Sequence, residues 1–199
     1  MPKIYLLNKW EPNPYVDAVE VDTTSKGSFK DLSPFYLGPI TYECPHFGTL
    51  KCLRLENLWQ YCKVYPEHTV MIGADKYPHI TGYYWPWRAG GFADSKANRY
   101  PLGKGKKPLF SLWGMQRLDY VNARLKIYIP NYVNLVRQTK SYGLLYKWYV
   151  EEKRDIVLRD FDVYDYRSQG MTLKDVVHNP KRSMGHAFVI KMMLKGELP

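Results

Sequence analysis

Glu56, Gln60 and Lys63 recur at i, i+4 and i+7 within Leu53-Arg54-Leu55-Glu56-Asn57-Leu58-Trp59-Gln60-Tyr61-Cys62-Lys63-Val64. That spacing predicts a helix over 53–64 that stacks the three side chains on one face. Leu55, Leu58, Trp59 and Cys62 lie beside them and call for burial. A carboxylate, an amide and an amine are thereby expected at the edge of a core. Burying an unpaired polar group costs roughly 2–7 kcal/mol. Either these groups pair or they are put to use. The plainer alternative is a surface helix whose wet face carries Glu, Gln and Lys.

The elements that must position this stripe follow from the flanking patterns. Lys3–Leu7 reads as a short buried strand, and the alternation of Val16, Ala18, Val19 and Val21 suits a second strand over Tyr15–Asp22. Thr23-Thr24-Ser25-Lys26-Gly27 closes it as a polar turn. Leu32-Ser33-Pro34-Phe35-Tyr36 is expected to be a loop with a buried Phe35, and Ile40–Glu43 and Leu50–Leu53 to be extended. Residues 66–112 carry Pro66, Pro78, Pro86, Pro101 and Pro108 with Gly90-Gly91, Gly103 and Gly105 between them, which predicts a long irregular insertion. Leu118, Val121, Leu125 and Tyr128 share one helical face over Leu118–Ile129, interrupted by Pro130, and a further helix begins at Tyr132–Gln138. Leu144–Glu152 continues helically, Asp155–Asp160 reads as a strand, and Gly185–Leu194 as a final apolar helix with Ser183 as its cap. His186 sits on an apolar face of that helix, where a satisfied core histidine is the ordinary outcome. The expected class is α+β: a mainly helical single domain over 1–199 with a few short strands.

Composition narrows the function. Twenty-nine Lys and Arg against 19 Asp and Glu leave a net charge of +10, which favours a polyanionic partner. The excess is dispersed, with a dense turn at Lys104-Gly105-Lys106-Lys107. That turn lacks the spacing and the Lys-Ser/Thr ending of a nucleotide phosphate loop, so contact by charge alone is expected. The three cysteines, Cys44, Cys52 and Cys62, form no CxxC pair, which argues against a disulfide framework and for a reducing compartment. Cys44 and His46 are close, but no second cluster completes a zinc spacing, so no metal and no cofactor is expected. The apolar run at the N-terminus is too short for a signal peptide, and nothing approaches the roughly 18 apolar residues of a membrane span. These features predict a cytoplasmic protein without a membrane partner; oligomeric state is not encoded legibly.

With these elements in order, the chain resembles the NADAR superfamily over residues 19–194. Leu32-Ser33-Pro34-Phe35 is similar to its "(L/F)-S-N-F" segment, and Glu56-Asn57-Leu58-Trp59-Gln60-Tyr61-Cys62-Lys63 to its helix "S-E-H-x-x-Q-A-x-K". Trp113 followed by Val121-Asn122-Ala123-Arg124, then Asp162-Val163-Tyr164, then Met184-Gly185-His186-Ala187-Phe188, look like later family motifs in the same order. The chain also resembles a bacterial and phage family with "D-x-T-S-K/R-G", "S-P-F" and "E-x-x-W-Q-x-x-K-V". It departs from the NADAR pattern at Asn57, where the family has His, at Pro34, where it has Asn, and in the longer aromatic segment 66–112.

The resemblance implies an N-glycosidase that removes ADP-ribose from guanine bases of nucleic acid, a reversal of DNA ADP-ribosylation that would suit phage counter-defence. Glu56 and Lys63 become the catalytic pair. Ser33, Phe35, Asn57, Gln60, Trp113, Asp162 and Arg182 become substrate-binding, and Lys104, Lys106 and Lys107 contacts to phosphate or nucleic acid. Two alternatives stay open: an N-glycosidase of a small nucleotide-like metabolite, and a non-enzymatic basic nucleic-acid-binding protein that retains the fold.

Overall fold

The computed structural model describes residues 2–44 and 48–199, so His46 lies outside the described residues. Along the chain run β1 (Ile4–Asn8), β2 (Val19–Asp22), β3 (Ile40–Cys44), β4 (Gly48–Cys52), α1 (Leu55–Tyr61), β5 (Lys63–Val64), β6 (Thr69–Val70), β7 (His79–Ile80), α2 (Tyr84–Ala93), β8 (Phe110–Trp113) and β9 (Gln116–Leu118). Then come α3 (Tyr120–Ala123), a π-helical stretch Arg124–Tyr128, α4 (Ile129–Val136), α5 (Lys140–Tyr146), β10 (Ile156–Asp160), α6 (Leu173–His178) and α7 (His186–Lys195). The class is a mixture of α and β, with four small sheets among the described residues. The chain divides into two compact units, one of residues 1–37 with 129–199 and one of residues 38–128. No helix among the described residues is long and apolar enough to cross a membrane.

The first unit is built on a parallel sheet, β1-β10-β2, with Ile4 opposite Ile156 and Val21 opposite Leu158. All five residues of β10 are buried, as the central strand of a parallel sheet must be. Arg159 is buried there too. Its guanidinium holds Glu20 at 2.5 Å and the carbonyl of Glu11 at 2.6 Å, so it ties β2 and the chain after β1 to the central strand. At the end of β10, Asp160 Oδ2 lies 3.1 Å from His186 Nδ1 and accepts the Ala187 amide at 3.2 Å, which caps α7. The other ring nitrogen of His186 meets the carbonyl of Thr23 at 2.8 Å. Any side chain at Gly185 would collide with Asp160. Gly185, rather than Ser183, is therefore the N-cap of this helix, with Asp160 supplying the acceptor from β10.

The second unit combines the β3–β4 hairpin, the antiparallel sheet β5-β8-β9 and the small hairpin β6–β7 with α1 and α2. Here the sequence reading needs correction. Residues 66–112 are not one irregular insertion: α2 occupies Tyr84–Ala93 and β6, β7 and the start of β8 fall inside the segment. Pro86 sits in the first turn of α2, where its missing N–H costs no helical bond. Gly91 is placed where α2 meets α1, and a Cβ there would run into the Tyr61 ring. Pro130 likewise fails to interrupt, because it is the second residue of α4 and follows a π-helical stretch in which the hydrogen-bond register has already changed. The second strand covers only Val19–Asp22, a further helix, α6, starts from a Thr172–Asp175 capping box, and Phe35 is half-buried while Leu32 and Pro34 are buried.

Two predictions follow from this packing. Gly91→Ala forces the buried Tyr61 ring aside and is expected to cost about 1–3 kcal/mol, seen as a thermal midpoint lowered by several degrees. An unchanged midpoint would show that α1 and α2 are less tightly apposed. Lys191 in α7 is buried and donates to the Ile4 carbonyl at 2.6 Å, and burial lowers its pKa to about 8. Because the unfolded chain keeps this amine near 10.4, it binds more protons than the fold above pH 8. Stability is therefore expected to rise from pH 8 to about 9.5, by roughly 1.5 kcal/mol from this residue. Above about pH 10 it falls again, since burial keeps the Tyr84 and Tyr132 hydroxyls protonated in the fold. Denaturant titration of Lys191→Met across this range checks the source: a rise as steep as in wild type removes Lys191 from the account.

Candidate active site

In α1 the polar stripe turns inward. Glu56 is 6% exposed and Gln60 7% exposed, so neither belongs to a wet face. Leu55, Leu58 and Cys62 are fully buried around them, and Trp59 is half-buried. The helix ends at Tyr61, earlier than expected, and Lys63 opens β5 instead. The relay forms nonetheless. Gln60 Nε2 donates to Glu56 Oε1 at 2.7 Å, the i to i+4 reach of a helix, and Lys63 Nζ donates to Gln60 Oε1 at 2.7 Å from the strand. The amide thus stands between carboxylate and amine, with its donor end toward one and its acceptor end toward the other.

The surroundings tune the amine. Lys63 has its pKa lowered to about 8, first by burial, opposed by the charge of Glu56 and assisted by that of Arg99. Its Nζ lies 5.0 Å from the centre of the Trp59 ring, which favours the cation and partly offsets its desolvation. Trp59 in turn packs against Tyr128 at 5.3 Å and Tyr120 at 6.0 Å, and the buried Arg124 guanidinium lies 4.6 Å over Tyr120. Near pH 8 about half of such an amine is neutral and nucleophilic.

Asn57 occupies the next position on α1 and is fully buried. Its Nδ2 donates to the carbonyls of Asp94 and Lys96, both at 3.0 Å, and its Oδ1 accepts the Asn98 amide at 2.8 Å. The side chain latches the chain that follows α2, which sets Asn98 against the Tyr61 hydroxyl at 3.4 Å and leads directly into Arg99. Asn57 is a positioning residue here rather than a group presented to a substrate.

The other expected residues distribute as follows. Trp113 packs on Tyr42 with ring centres 4.5 Å apart, and the Tyr42 hydroxyl accepts the Gly114 amide at 3.0 Å. Lys106 pairs with Glu67, while Lys104 and Lys107 are exposed on the same turn. In the first unit, Ser33 is buried and its Oγ accepts the Phe35 amide at 3.4 Å. Asp162 accepts the Ser183 hydroxyl at 2.9 Å, and Arg182 lies 4.2 Å over the Tyr164 ring. The structure gathers Glu56, Gln60 and Lys63 into one chain of hydrogen bonds. It adds Trp59, Arg99, Tyr120 and Arg124, which the sequence reading left out of the site. Arg124 carried a signal: a guanidinium within the apolar pattern of Val121, Leu125 and Tyr128 is a charge where burial is expected. Arg99 carried none, because only the Asn57 latch brings it into play.

Among the described residues, no group of three or more His, Cys, Asp and Glu is placed to hold a metal ion. Cys44, Cys52 and Cys62 are buried free thiols. No family model, no curated protein and no solved structure matches this chain.

Proposed function

We propose that the chain is an N-glycosyl hydrolase that removes ADP-ribose from guanine bases of nucleic acid. The observation that supports it is the buried relay in which Gln60 links the Glu56 carboxylate to a Lys63 amine held near pH 8. The resemblance of the ordered motifs to the NADAR superfamily supplies the substrate class. Breaking an N-glycosidic bond builds positive charge at the anomeric carbon, which an adjacent carboxylate stabilises. The neutral Lys63 amine then forms a C–N bond at that carbon. The base leaves with the bonding electron pair and takes up a proton, and water releases the sugar from the enzyme. Trp113 serves as a substrate group in this reading, with Lys104, Lys106 and Lys107 toward phosphate.

Incubation with guanine-ADP-ribosylated single-stranded DNA tests the reaction. Wild type is expected to release ADP-ribose, and Glu56→Ala and Lys63→Ala each to lose about 100-fold or more. Release that persists in the double variant would sink the assignment of the site. Release of ADP-ribose from modified guanosine at the same rate as from DNA would instead favour a small nucleotide-like substrate.

The pH profile carries an independent prediction. The reactive form of Lys63 is the neutral amine, so kcat/KM is expected to rise with pH through a midpoint near 8. Glu56 holds that midpoint up by its charge, so Glu56→Gln lowers it in whatever residual activity remains. A profile that is flat from pH 6.5 to 9 would exclude Lys63 as nucleophile. One observation favours a second reading. Asn57 spends its amide on backbone where the NADAR pattern has His, as in a basic nucleic-acid-binding protein that keeps the fold without the chemistry. That reading requires DNA binding that survives both alanine substitutions and no release from any substrate.

A further inference from the structure

The hairpin β6–β7 carries an open cleft of about 510 Å³ lined by Asp75, Lys76, Tyr77, His79 and Arg117. The volume is in the range that takes a single nucleotide-sized group, about 300–1,000 Å³. Tyr77 is 61% exposed, so the ring is open to a ligand. Two cations are set against that ring: Lys76 Nζ lies 5.3 Å from its centre and the Arg117 guanidinium 6.0 Å. Arg117 is itself held in place, donating to the Pro78 carbonyl at 2.8 Å and lying 4.8 Å over Phe110. The carboxylate in the cleft, Asp75, is occupied by His79 at 2.5 Å. None of these residues belongs to the Glu56–Gln60–Lys63 relay.

An exposed ring with flanking cations is the arrangement that binds an unstacked base on its face and the adjoining phosphates at its edge. At the base of the same hairpin, Lys106 pairs with Glu67, which brings the turn of Lys104 and Lys107 to the flank of the strand that leads into β6. The net charge of +10 adds long-range attraction for a polyanion. We infer that the Tyr77–Lys76–Arg117 cleft is a docking site for single-stranded nucleic acid. It stacks one base on Tyr77 and neutralises neighbouring phosphates with Lys76 and Arg117. A duplex keeps its bases stacked and cannot offer one to the ring. The exposed Met71 and Ile72 on the hairpin turn make a protein partner the competing occupant.

The full chain with a fluorescein-labelled 20-nucleotide oligo-dT, read by anisotropy at several salt concentrations, decides the matter. Tyr77→Ala is expected to weaken binding about fivefold or more without changing its salt dependence. The double variant Lys76→Glu, Arg117→Glu is expected to lose more than tenfold and to flatten the slope of log K against log salt by at least about 1.4, for two phosphates at about 0.7 each. The matched double variant Lys140→Glu, Lys174→Glu carries the same change of net charge on the first unit and should stay within about twofold. Circular dichroism confirms that each variant is folded. Equal losses in both double variants would reduce the cleft to diffuse charge and overturn the proposal. So would duplex binding as tight as single-strand binding, and so would no binding by wild type, which would leave the hairpin to a protein partner. ADP-ribose release plays no part in this readout, so the docking site and the hydrolase stand or fall separately.

Discussion

Arg88 is the constraint on which the second unit depends. Its side chain is 1% exposed, and its Nη2 reaches Cys62 Sγ at 3.2 Å and the Leu112 carbonyl at 3.3 Å. Tyr42, Phe92 and Tyr84 bring their rings within 4.4, 5.2 and 5.7 Å of the guanidinium carbon. One cation thereby joins β3, the end of α1, α2 and β8. A buried guanidinium without good partners costs several kcal/mol, so these elements must close around it together. Cys62 is the residue before Lys63, and Arg88 fixes it. The position of the Lys63 amine is thus set from the core side, by a buried charge.

The amide in the relay has an electrostatic role as well as a geometric one. Had Glu56 and Lys63 met directly, their mutual attraction would have held the amine protonated and the carboxylate ionised. Gln60 keeps them apart while satisfying both, at 2.7 Å on each side. The carboxylate still raises the lysine pKa, but burial outweighs it. The result is a pair of groups whose charges are partly independent of one another.

Much of this was legible before the structure, and the failures have physical causes. The i, i+4 relation of Glu56 and Gln60 is a local property of a helix, so sequence sufficed. Lys63 was placed on that helix, yet it reaches Gln60 from a strand, because a long flexible stem tolerates a change of backbone direction that a short one would not. Helix α2 was hidden by Pro86 and Gly90-Gly91, which read as breakers unless one knows that the first turn needs no proline N–H and that Tyr61 crowds Gly91. The strand β10 was visible as an apolar run, but its parallel partners come from the far end of the chain and leave no local mark. The latch from Asn57 to residues 94–98 is non-local in the same way. The Tyr77 cleft was missed because its cation Arg117 arrives from another sheet.

The placement of the thiols gives the molecule a built-in reporter. All three cysteines lie between residues 38 and 128, and the other unit has none. All three are buried, and burial pushes the Cys52 thiol up to about 12 and raises that of Cys62. Only a thiolate attacks an alkylating reagent at an appreciable rate, so reaction waits for the surrounding structure to open. The rate of alkylation under native conditions therefore counts openings of the unit that carries the relay, and it is blind to breathing of the parallel sheet. Without any added label, local opening of one half of the chain can be timed separately from the other.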